Sequence, residues 1–414
     1  MPCESINPMI TPSSFGKKKI VIAAGVIAGL TLLFFGARYF GILESGLGQG
    51  EIHKFFSDIS DSSKEVPYVI EEVVSGLEVP WSIVWTSPTR MLIAERPGRL
   101  RVFVDGKLLD RPLTTFHDVS SDGEEGLMGV ALDPDYATNH YLYACYAYTK
   151  EGGKESEMVG RMVRLVDDGV AATIDRVLVD HIPSAQFHAG CRVAFGPDGK
   201  LYVTTGDATD GKLAQRLDSF AGKILRVNSD GSIPADNPFP DSRVWSFGHR
   251  NPQGIAWHPK TGVMYETEHG PSIFDGPAGG DEVNLVVRGG NYGWPLVSHE
   301  KTRDGTIAPL LLFTPAEAPA SAMFYRGVAL PQFTDNFFFG ALKGEGLIRV
   351  IFDERDPSKV VRYEKLGDVR FGRIRAVAQG PDGAIYFSTS NRDGRGAPTA
   401  SDDRIFRITP RLSF

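Results

Sequence analysis

Residues 186–208, QFHAGCRVAFGPDGKLYVTTGDA, place one histidine and one aspartate at the two ends of a predicted β-hairpin. A Pro-Asp-Gly turn joins two strand-like runs; His188 precedes the first run and Asp207 follows the second. Because the two strands of a hairpin begin and end at the same edge, we expect these side chains to lie close together. A carboxylate beside an imidazole fixes its tautomer and supports its positive charge, as a general base requires. The pattern is also consistent with a solvated loop histidine.

Cationic and amide side chains recur beside other predicted strand pairs. The segment SFGHRNPQGIAW carries Arg250 and Asn251, and Lys343, Arg373 and Arg375 lie near later strand pairs. Guanidinium groups suit planar ligands that are rich in carboxylate and carbonyl oxygens. Together these residues would form a cationic ring around an anionic ligand, although each one alone is consistent with a structural turn.

The segment ETEHGPSIFDGPAGGDEVNLVVRGGNYGWP (266–295) is the most loop-rich part of the chain. Its Gly-Pro segments present backbone carbonyls, and Asp281, Glu282 and Tyr292 add side-chain oxygens. Oxygen donors without cysteine partners suit Ca²⁺ rather than zinc. Acidic residues that cap a glycine-rich turn are the alternative. The chain contains no GxGxxG, Walker, HExxH or GxSxG motif, so nucleotide, zincin and serine-hydrolase functions lack their motifs.

One unit recurs along the chain and supplies the strands that must position these residues. It is a β-branched and aromatic run, a turn containing proline, and a second such run; it starts at Ser82, Gly129, Arg192, Gly254 and Ala376. The last interval is about twice the two before it, and the degenerate segment SAMFYRGVALPQFTDNFFFGALKGEGLIRV fills it. Six such all-β units predict a six-bladed β-propeller. YVIEEVVSG near residue 70 and RIFRITP near residue 407 are expected to pair and close the ring.

The composition supports one large all-β domain. The chain has 414 residues, of which 42% are hydrophobic, and its 46 glycines and 27 prolines indicate many turns. The net charge of −7 and the lack of a basic stripe argue against nucleic acid as a partner. Cys3, Cys145 and Cys191 form neither a disulfide framework nor a zinc motif. We interpret Cys145 and Cys191 as buried free thiols, with a bridge between them as the alternative in an exported domain.

The N-terminal region predicts a membrane anchor. Three lysines precede an uncharged, mostly apolar run of 18 residues, 20–37, which is about the minimum length for a spanning helix. Lysines on that side predict a cytoplasmic start and a translocated domain, on the periplasmic or extracellular side; a cleaved signal peptide is the alternative. The predicted organisation is a cytoplasmic tail (1–19), a transmembrane anchor (20–43), a linker (44–66) and the propeller (67–414).

Several segments together resemble the soluble quinoprotein glucose/sorbosone dehydrogenases, and especially the aldose sugar dehydrogenases that use pyrroloquinoline quinone (PQQ). The resemblance covers about residues 70–410. The segments that carry it are GLEVPWSIVW, ERPGRLRVF, GEEGLMGVALDPDY, HAGCRVAFGPDGKLYVTTGDA, AGKILRVNSDGSIPADNPF, WSFGHRNPQGIAW, EHGP…GGDEVNLVVRGGNYGWP and GRIRAVAQGPDGAIYF. It implies a six-bladed propeller that oxidises the anomeric hydroxyl of an aldose to the lactone and passes two electrons to PQQ. The external electron acceptor is not identified.

The resemblance also implies roles for individual residues. His188 would be the catalytic base and Asp207 would orient it, while Arg250 would stabilise developing negative charge. The residues that would surround PQQ are Glu124, His188, Arg250, Asn251, Lys343, Arg373 and Arg375, with Phe313 as the remaining aromatic over the cofactor. The carbonyls of Gly270 and Pro271 would hold the Ca²⁺ that contacts PQQ. Glu282 and Tyr292 would form a second, structural calcium site.

Two other functions are compatible with a propeller of this kind. A calcium-dependent lactone hydrolase would need several carboxylates converging in the channel, whereas the residues predicted there are mainly cationic. A binding propeller that has lost its cofactor would not need the histidine, aspartate and cationic residues together. The sequence therefore favours the quinoprotein dehydrogenase.

Overall fold

The computed structural model describes residues 66–149 and 158–411. The predicted cytoplasmic tail and transmembrane anchor, and nearly all of the predicted linker, lie outside these residues. Within the described ranges, no helix is long and apolar enough to cross a membrane.

Six antiparallel sheets, here called blades 1 to 6, follow one another along the chain, and their strand orders give the predicted all-β six-bladed propeller. The strands, in chain order, are β1 (Tyr68–Val74); in blade 1 β2 (Pro80–Ser87), β3 (Arg90–Glu95), β4 (Arg99–Val104), β5 (Lys107–Leu108) and β6 (Thr114–Thr115); in blade 2 β7 (Leu127–Leu132), β8 (Tyr141–Thr149), β9 (Met158–Asp167) and β10 (Ala172–Pro183); in blade 3 β11 (Val193–Phe195), β12 (Leu201–Thr205), β13 (Lys223–Val227) and β14 (Val244–Phe247); in blade 4 β15 (Pro252–Trp257), β16 (Met264–Glu268), β17 (Asp281–Val286) and β18 (Leu311–Phe313); in blade 5 β19 (Pro319–Phe324), β20 (Phe337–Ala341), β21 (Gly346–Phe352) and β22 (Val360–Lys365); and in blade 6 β23 (Ile374–Gln379), β24 (Ile385–Thr389) and β25 (Ile405–Pro410).

Helical structure is confined to short connections in the described ranges. The segments are α1 (Tyr136–Asn139), α2 (Gly211–Ala214) and a 3-10 turn at Pro331–Phe333. The sequence shows why: its apolar residues occur in short, β-branched and aromatic runs between turn formers, without the 3.6-residue period of an amphipathic helix.

The chain closes the ring by pairing its first strand with its last. β1 is antiparallel to β25, with Ile70 opposite Ile408 and Tyr68 opposite Pro410, so blade 6 contains strands from both ends of the propeller. The innermost strands of neighbouring blades contact one another around the circle. The closure predicted from YVIEEVVSG and RIFRITP is confirmed.

The hydrophobic core is divided among the gaps between blades. In the described ranges, each of six buried clusters joins residues of neighbouring blades, as where Leu92 and Leu100 of blade 1 pack with Leu127 and Leu142 of blade 2. Strands in the middle of a blade are therefore buried on both faces, as in the continuous LYVTT of β12 and FFFGA of β20. This arrangement fixes the blades rigidly and leaves the loops at their ends to form a site.

Cys145 and Cys191 are not the free thiols that we predicted. Cys145 of β8 and Cys191 form a disulfide, with Cα atoms 5.6 Å apart. Our interpretation was wrong because 46 residues separate the two cysteines in sequence, whereas the packing of blade 2 on blade 3 brings them together. The bridge attaches the loop before β11, which carries His188, to the neighbouring blade.

Candidate active site

The predicted site residues lie on loops at one end of the toroid. In each blade this end carries the loop that leads into the innermost strand and the loop that follows the second strand. His188 precedes β11 and Asp207 follows β12, while Lys343 follows β20 and Arg373 precedes β23. Blades 3, 5 and 6 thus contribute side chains to the same region around the propeller axis.

His188, which is half-buried, and Asp207, which is buried, form a hydrogen-bonded pair. Nδ1 of His188 lies 2.8 Å from Oδ1 of Asp207, and the Asp207 side chain is 2% exposed. The indole N–H of Trp294 donates to the other carboxylate oxygen, Oδ2, at 2.7 Å, and the backbone N–H of Thr209 donates to Oδ1. Since the carboxylate engages Nδ1, the imidazole is left with Nε2 to accept a proton from a ligand.

The backbone around this pair explains the glycines of the motif. His188 adopts a φ of 56°, in the left-handed region, and its carbonyl passes close to Gly206. A Cβ atom on Gly206 would lie 1.7 Å from that carbonyl oxygen, so only glycine fits there. The close approach holds the loop of His188 against the end of β12, next to Asp207.

Two adjoining cavities of about 630 and 470 Å³ open beside the pair. His188, Arg250, Gly270 and Pro271 line the larger cavity, whereas Arg373 and Arg375 line the smaller one. Both cavities are bordered by Glu124, Phe187, His269, Ala318, Lys343 and Arg395. The two volumes form one continuous space large enough for a cofactor together with a small substrate.

The wall of the smaller cavity is cationic. Asp393 accepts hydrogen bonds from Arg373 at 2.7 Å but lies 3.8 Å from Arg375, so one carboxylate is shared by two guanidinium groups. Lys343 lines the wall and has no hydrogen bond or ion pair from its amino group to any described residue. The uncompensated positive charge suits an anionic ligand.

Glu124 is the acid on this wall, and Arg395 pairs with it directly. Burial, the largest single influence, would raise the pKa of Glu124, but the charges of Arg395, His269 and His188 and the hydrogen bond from Arg395 together lower the pKa to about 2. Its second oxygen accepts the backbone N–H of His188 at 3.3 Å. Glu124 is therefore ionised and holds the histidine loop, in addition to bordering the cavity.

Arg250 and its neighbour Asn251 have different surroundings. The Arg250 guanidinium lines the larger cavity, donates to Asp275 at 2.8 Å and lies 5.5 Å from the Trp294 ring. Asn251 lines neither cavity; its Oδ1 accepts the backbone N–H of Gly190 at 3.1 Å, and its Nδ2 is buried without a partner among the described residues. Asn251 thus supports the histidine loop from behind.

The residues predicted to contact calcium occur in two places. Gly270 and Pro271 lie on the wall of the larger cavity, where Asp281 accepts the N–H of Gly270 at 2.8 Å. Glu282 lies inside blade 4, where Asn284 donates to Glu282 at 2.8 Å and to Glu266 at 2.7 Å. Asp281 at the first place and Glu282 at the second are consecutive residues of β17. Asp281 borders the larger cavity, whereas Glu282 does not line it and is buried.

The interior of blade 4 contains an acid cluster that we define as His249, Glu266, Glu268 and Glu282, with Asn284 beside them. Ligand atoms of His249, Glu266 and Glu268 lie within 4.8 Å of one another. His249 Nδ1, Glu266 Oε2 and Asn284 Oδ1 are buried without a hydrogen-bond partner in the described chain. Burial raises the pKa values of Glu266, Glu268 and Glu282, and repulsion from Glu268 raises those of Glu266 and Glu282 further. The cluster has the donors of a hard-cation site.

The side chain of Tyr292 does not supply a free oxygen to this cluster. Its hydroxyl donates to the carbonyl of Leu285 at 2.7 Å and accepts the N–H of Val287 at 2.9 Å. Its ring stacks on His249, with ring centroids 4.5 Å apart. Tyr292 therefore forms one wall of the acid cluster.

Phe313, which was expected to lie over the cofactor, does not line either cavity. Phe313 is buried between blades 4 and 5, against Phe339 and Tyr363, because its side chain faces the inter-blade core. Phe187 and Phe274 line the cavity instead, with exposed fractions of 42% and 92%. Four further residues of the site were not predicted from sequence, because their partners lie in distant loops: Trp294, Asp275, Asp393 and Arg395. For Trp294, the segment NYGWP was the available signal in the sequence.

The fold and the site define a propeller oxidoreductase class, and comparisons with known proteins identify the family. The glucose/sorbosone dehydrogenase family profile matches residues 77–398. An aldose sugar dehydrogenase of Escherichia coli K12, YliI, is 33% identical over 363 residues, covering 83% of this chain and 93% of the relative. Quinoprotein glucose dehydrogenase B of Acinetobacter calcoaceticus is 32% identical over 262 residues, covering 56% of this chain and 53% of that protein. The PQQ-bound aldose sugar dehydrogenase of Streptomyces coelicolor has a TM-score of 0.72 and 30% identity, covering 83% of this chain and 98% of that one.

The chain belongs to the glucose/sorbosone dehydrogenase family. The family and the oxidoreductase class predicted from sequence are confirmed. PQQ, predicted as the cofactor, is bound in the Streptomyces relative.

Proposed function

We propose that this protein oxidises an aldose at its anomeric hydroxyl to the lactone, with PQQ as the electron acceptor and Ca²⁺ as a second cofactor. The observation that carries the proposal is the His188–Asp207 pair on the wall of a cavity whose other wall is cationic. Membership of a quinoprotein sugar dehydrogenase family supports the same reaction.

The residues of the cavity fit PQQ, which is a planar tricarboxylate. Arg373, Arg375 and Lys343 present three positive charges, and Asp393 compensates only part of them. A bound tricarboxylate would neutralise that excess and accept hydrogen bonds from the guanidinium groups. When bound, PQQ supplies the two-electron acceptor that takes the hydride from the anomeric carbon.

The protein's own contribution to the chemistry is to move one proton and to hold the sugar. Nε2 of His188 removes the anomeric hydroxyl proton, and Asp207 stabilises the imidazolium that results. Trp294 and Thr209 hold the carboxylate in place by donating to its two oxygens. Arg250 places positive charge on the same wall of the cavity, where developing negative charge is stabilised.

Two calcium sites fit the donors present. The Gly270–Pro271 segment borders the cavity, so its carbonyls would be available to hold a cation there. The second site is the acid cluster with Glu282, where ligand atoms of His249, Glu266 and Glu268 lie within 4.8 Å of one another and Asn284 donates to both Glu266 and Glu282. A cation there would replace the protons that burial leaves on these carboxyl groups and would be bound by the ionised carboxylates.

Reconstitution of the full-length chain tests this function. Protein is loaded with PQQ and Ca²⁺, and dye reduction is measured with a panel of aldoses beside the His188→Ala variant. We expect activity to need both additions, and the variant to lose at least about 100-fold in kcat, the usual scale for a general base. His181→Ala, which changes a histidine whose side chain is 65% exposed, is the matched control and should retain activity.

Other outcomes would select the alternatives. Hydrolysis of lactones without quinone would indicate a calcium-dependent hydrolase. Protein binding without PQQ uptake would indicate a binding propeller that has lost its cofactor.

We also propose that the propeller domain is membrane-anchored and lies on the periplasmic or extracellular side. The apolar run 20–37 and the Cys145–Cys191 disulfide support export, because disulfides persist in oxidising compartments. Protease added to cells whose outer membrane, if present, has been permeabilised while the inner membrane is intact should digest the domain; complete protection would contradict the proposed topology.

A further inference from the structure

Two buried guanidinium groups lie near the same tryptophan ring beside the smaller cavity. Arg192 precedes β11 in blade 3, and Arg375 is in β23 of blade 6. Their guanidinium carbons lie 4.0 and 5.7 Å from the ring centroid of the same tryptophan, Trp81. Gln253 contacts both: its backbone carbonyl accepts from Arg192 Nε at 3.0 Å, and its side-chain oxygen accepts from Arg375 Nη1 at 3.2 Å.

No acid in the described chain pairs with Arg192. Its two hydrogen-bonded nitrogens donate to neutral oxygens, the Gln253 carbonyl and the Ser82 hydroxyl at 3.2 Å. Its third nitrogen, Nη2, is buried and has no hydrogen-bond partner in the described chain. The residue is only 7% exposed, so water outside the protein cannot compensate its charge. A buried cation with an unused donor is the condition in which an anion binds most favourably.

Arg375 adds to this unbalanced charge. The nearest carboxylate, Asp393, lies 3.8 Å away and already bonds to Arg373 at 2.7 Å. Burial first, and then repulsion from Arg375, together lower the pKa of Arg192 to about 9. Both guanidinium groups would therefore gain from one negative charge between them.

We propose that a small inorganic anion of the size of chloride binds between Arg192 and Arg375, with Arg192 Nη2 as its donor. Arg375 and Gln253 line the smaller cavity, whereas Arg192 does not, so Gln253 separates Arg192 from the space assigned to PQQ. The enclosed position favours a compact, weakly hydrated anion over a carboxylate. The site is distinct from the cofactor site and stabilises the floor beneath it.

Thermal unfolding of the full-length chain without PQQ tests the site. Midpoints are compared in sodium chloride, sodium bromide and sodium gluconate at equal ionic strength, because gluconate is too large for an enclosed site. We expect a saturable rise of the midpoint with either halide and none with gluconate. Arg192→Gln should abolish the difference, whereas Arg407→Gln, which changes an arginine whose side chain is 40% exposed, should retain it.

Crystals soaked in bromide give an independent readout that needs no variant. We expect an anomalous peak within hydrogen-bond distance of Arg192 Nη2. Equal midpoints in halide and gluconate, together with no anomalous peak at this position, would overturn the inference even if Arg192→Gln fails to fold.

The same comparison on PQQ-loaded protein separates this site from the cofactor site. If halide still raises the midpoint of thermal unfolding when PQQ is bound, the anion site is independent of the cofactor site. Halide dependence that PQQ removes would contradict it, because the halide would then have occupied a position of the cofactor's carboxylates. If the protein binds halide but neither binds PQQ nor oxidises sugars, the proposed function fails while this inference stands.

Discussion

The cavity wall and the acid cluster of blade 4 are both buried polar sites, but the first presents positive charge to a ligand and the second presents carboxyl oxygens. On the wall, Arg373, Arg375 and Lys343 face a space of several hundred cubic ångströms. In the cluster, the ligand atoms of His249, Glu266 and Glu268 lie within 4.8 Å of one another, and all three residues are buried. Because the first group borders a space that a ligand can enter, it suits an exchangeable anion; because the second is enclosed, it suits a structural cation.

This difference predicts separate consequences for the two regions. Changes at the cavity should alter turnover or cofactor affinity and leave the free energy of unfolding nearly unchanged. Changes in the acid cluster should alter stability and its dependence on calcium, with little effect on the chemistry. A single variant that alters both turnover and the calcium dependence of stability would show that the two regions are coupled.

The largest effect is expected from Asp207→Asn at the cavity. The amide no longer stabilises the imidazolium of His188 and disturbs its tautomer, so kcat should fall by about 10²- to 10⁴-fold. Steady-state dye reduction measures kcat, and calorimetry should give an unchanged affinity for PQQ. Asp218→Asn changes an exposed aspartate of the same loop and is the matched control. An Asp207→Asn variant as active as wild type would remove the pair from the mechanism.

The second prediction concerns the acid cluster. In protein without PQQ, calcium at about 100 times its dissociation constant should raise the free energy of unfolding by about 2.7 kcal/mol. Glu266→Gln removes one carboxylate from the cluster and should reduce this rise, measured by chemical denaturation with calcium or with EGTA. Glu72→Gln alters an exposed glutamate and should keep the full rise. A calcium response of equal size in Glu266→Gln would place the cation elsewhere.

The third prediction concerns the cationic wall of the smaller cavity, from which Arg375→Gln removes one positive charge. Loss of one charged hydrogen-bond donor to a carboxylate should weaken PQQ binding by about 10- to 100-fold, since such bonds contribute about 1.5–3 kcal/mol. Fluorescence titration of PQQ measures the affinity. Arg370→Gln, in the exposed loop before β23, is the control. Unchanged PQQ affinity in Arg375→Gln would mean that this wall does not hold the cofactor.

Trp294→Phe should have the smallest effect. The variant keeps the aromatic ring and loses the N–H that donates to Asp207 at 2.7 Å, so kcat should fall by about tenfold or less, equivalent to about 1 kcal/mol. The carboxylate then loses one of the two N–H donors that hold it beside His188, so kcat should fall while KM changes little. An unchanged kcat would mean that this hydrogen bond does not position the carboxylate.

The fold could be predicted from sequence because its signal is repeated. Each blade carries its own turn and strand pair, and even the degenerate unit from Ser321 could be located by its spacing from the others. The disulfide could not be predicted, because the proximity of Cys145 and Cys191 arises from packing between blades.

The site was partly predictable for the same reason. The geometry of one hairpin brings His188 and Asp207 to one edge, and sequence contains that information. The roles of Trp294 and Asp275 depend on loops of blade 4 that reach toward blade 3 and Arg250, and no local pattern encodes those contacts. The packing of Phe313 depends on which side of β18 faces blade 5, and a three-residue strand gives no usable alternation.

The most direct measurement compares an aldose with the same aldose carrying deuterium on its anomeric carbon, in a single turnover of the PQQ-loaded protein. If the anomeric hydrogen leaves as a hydride while His188 takes the hydroxyl proton, the deuterated sugar should react more slowly in wild type, and His188→Ala should reduce both rates. Oxidation at equal rates, or none with any aldose despite bound PQQ, would contradict the proposed function.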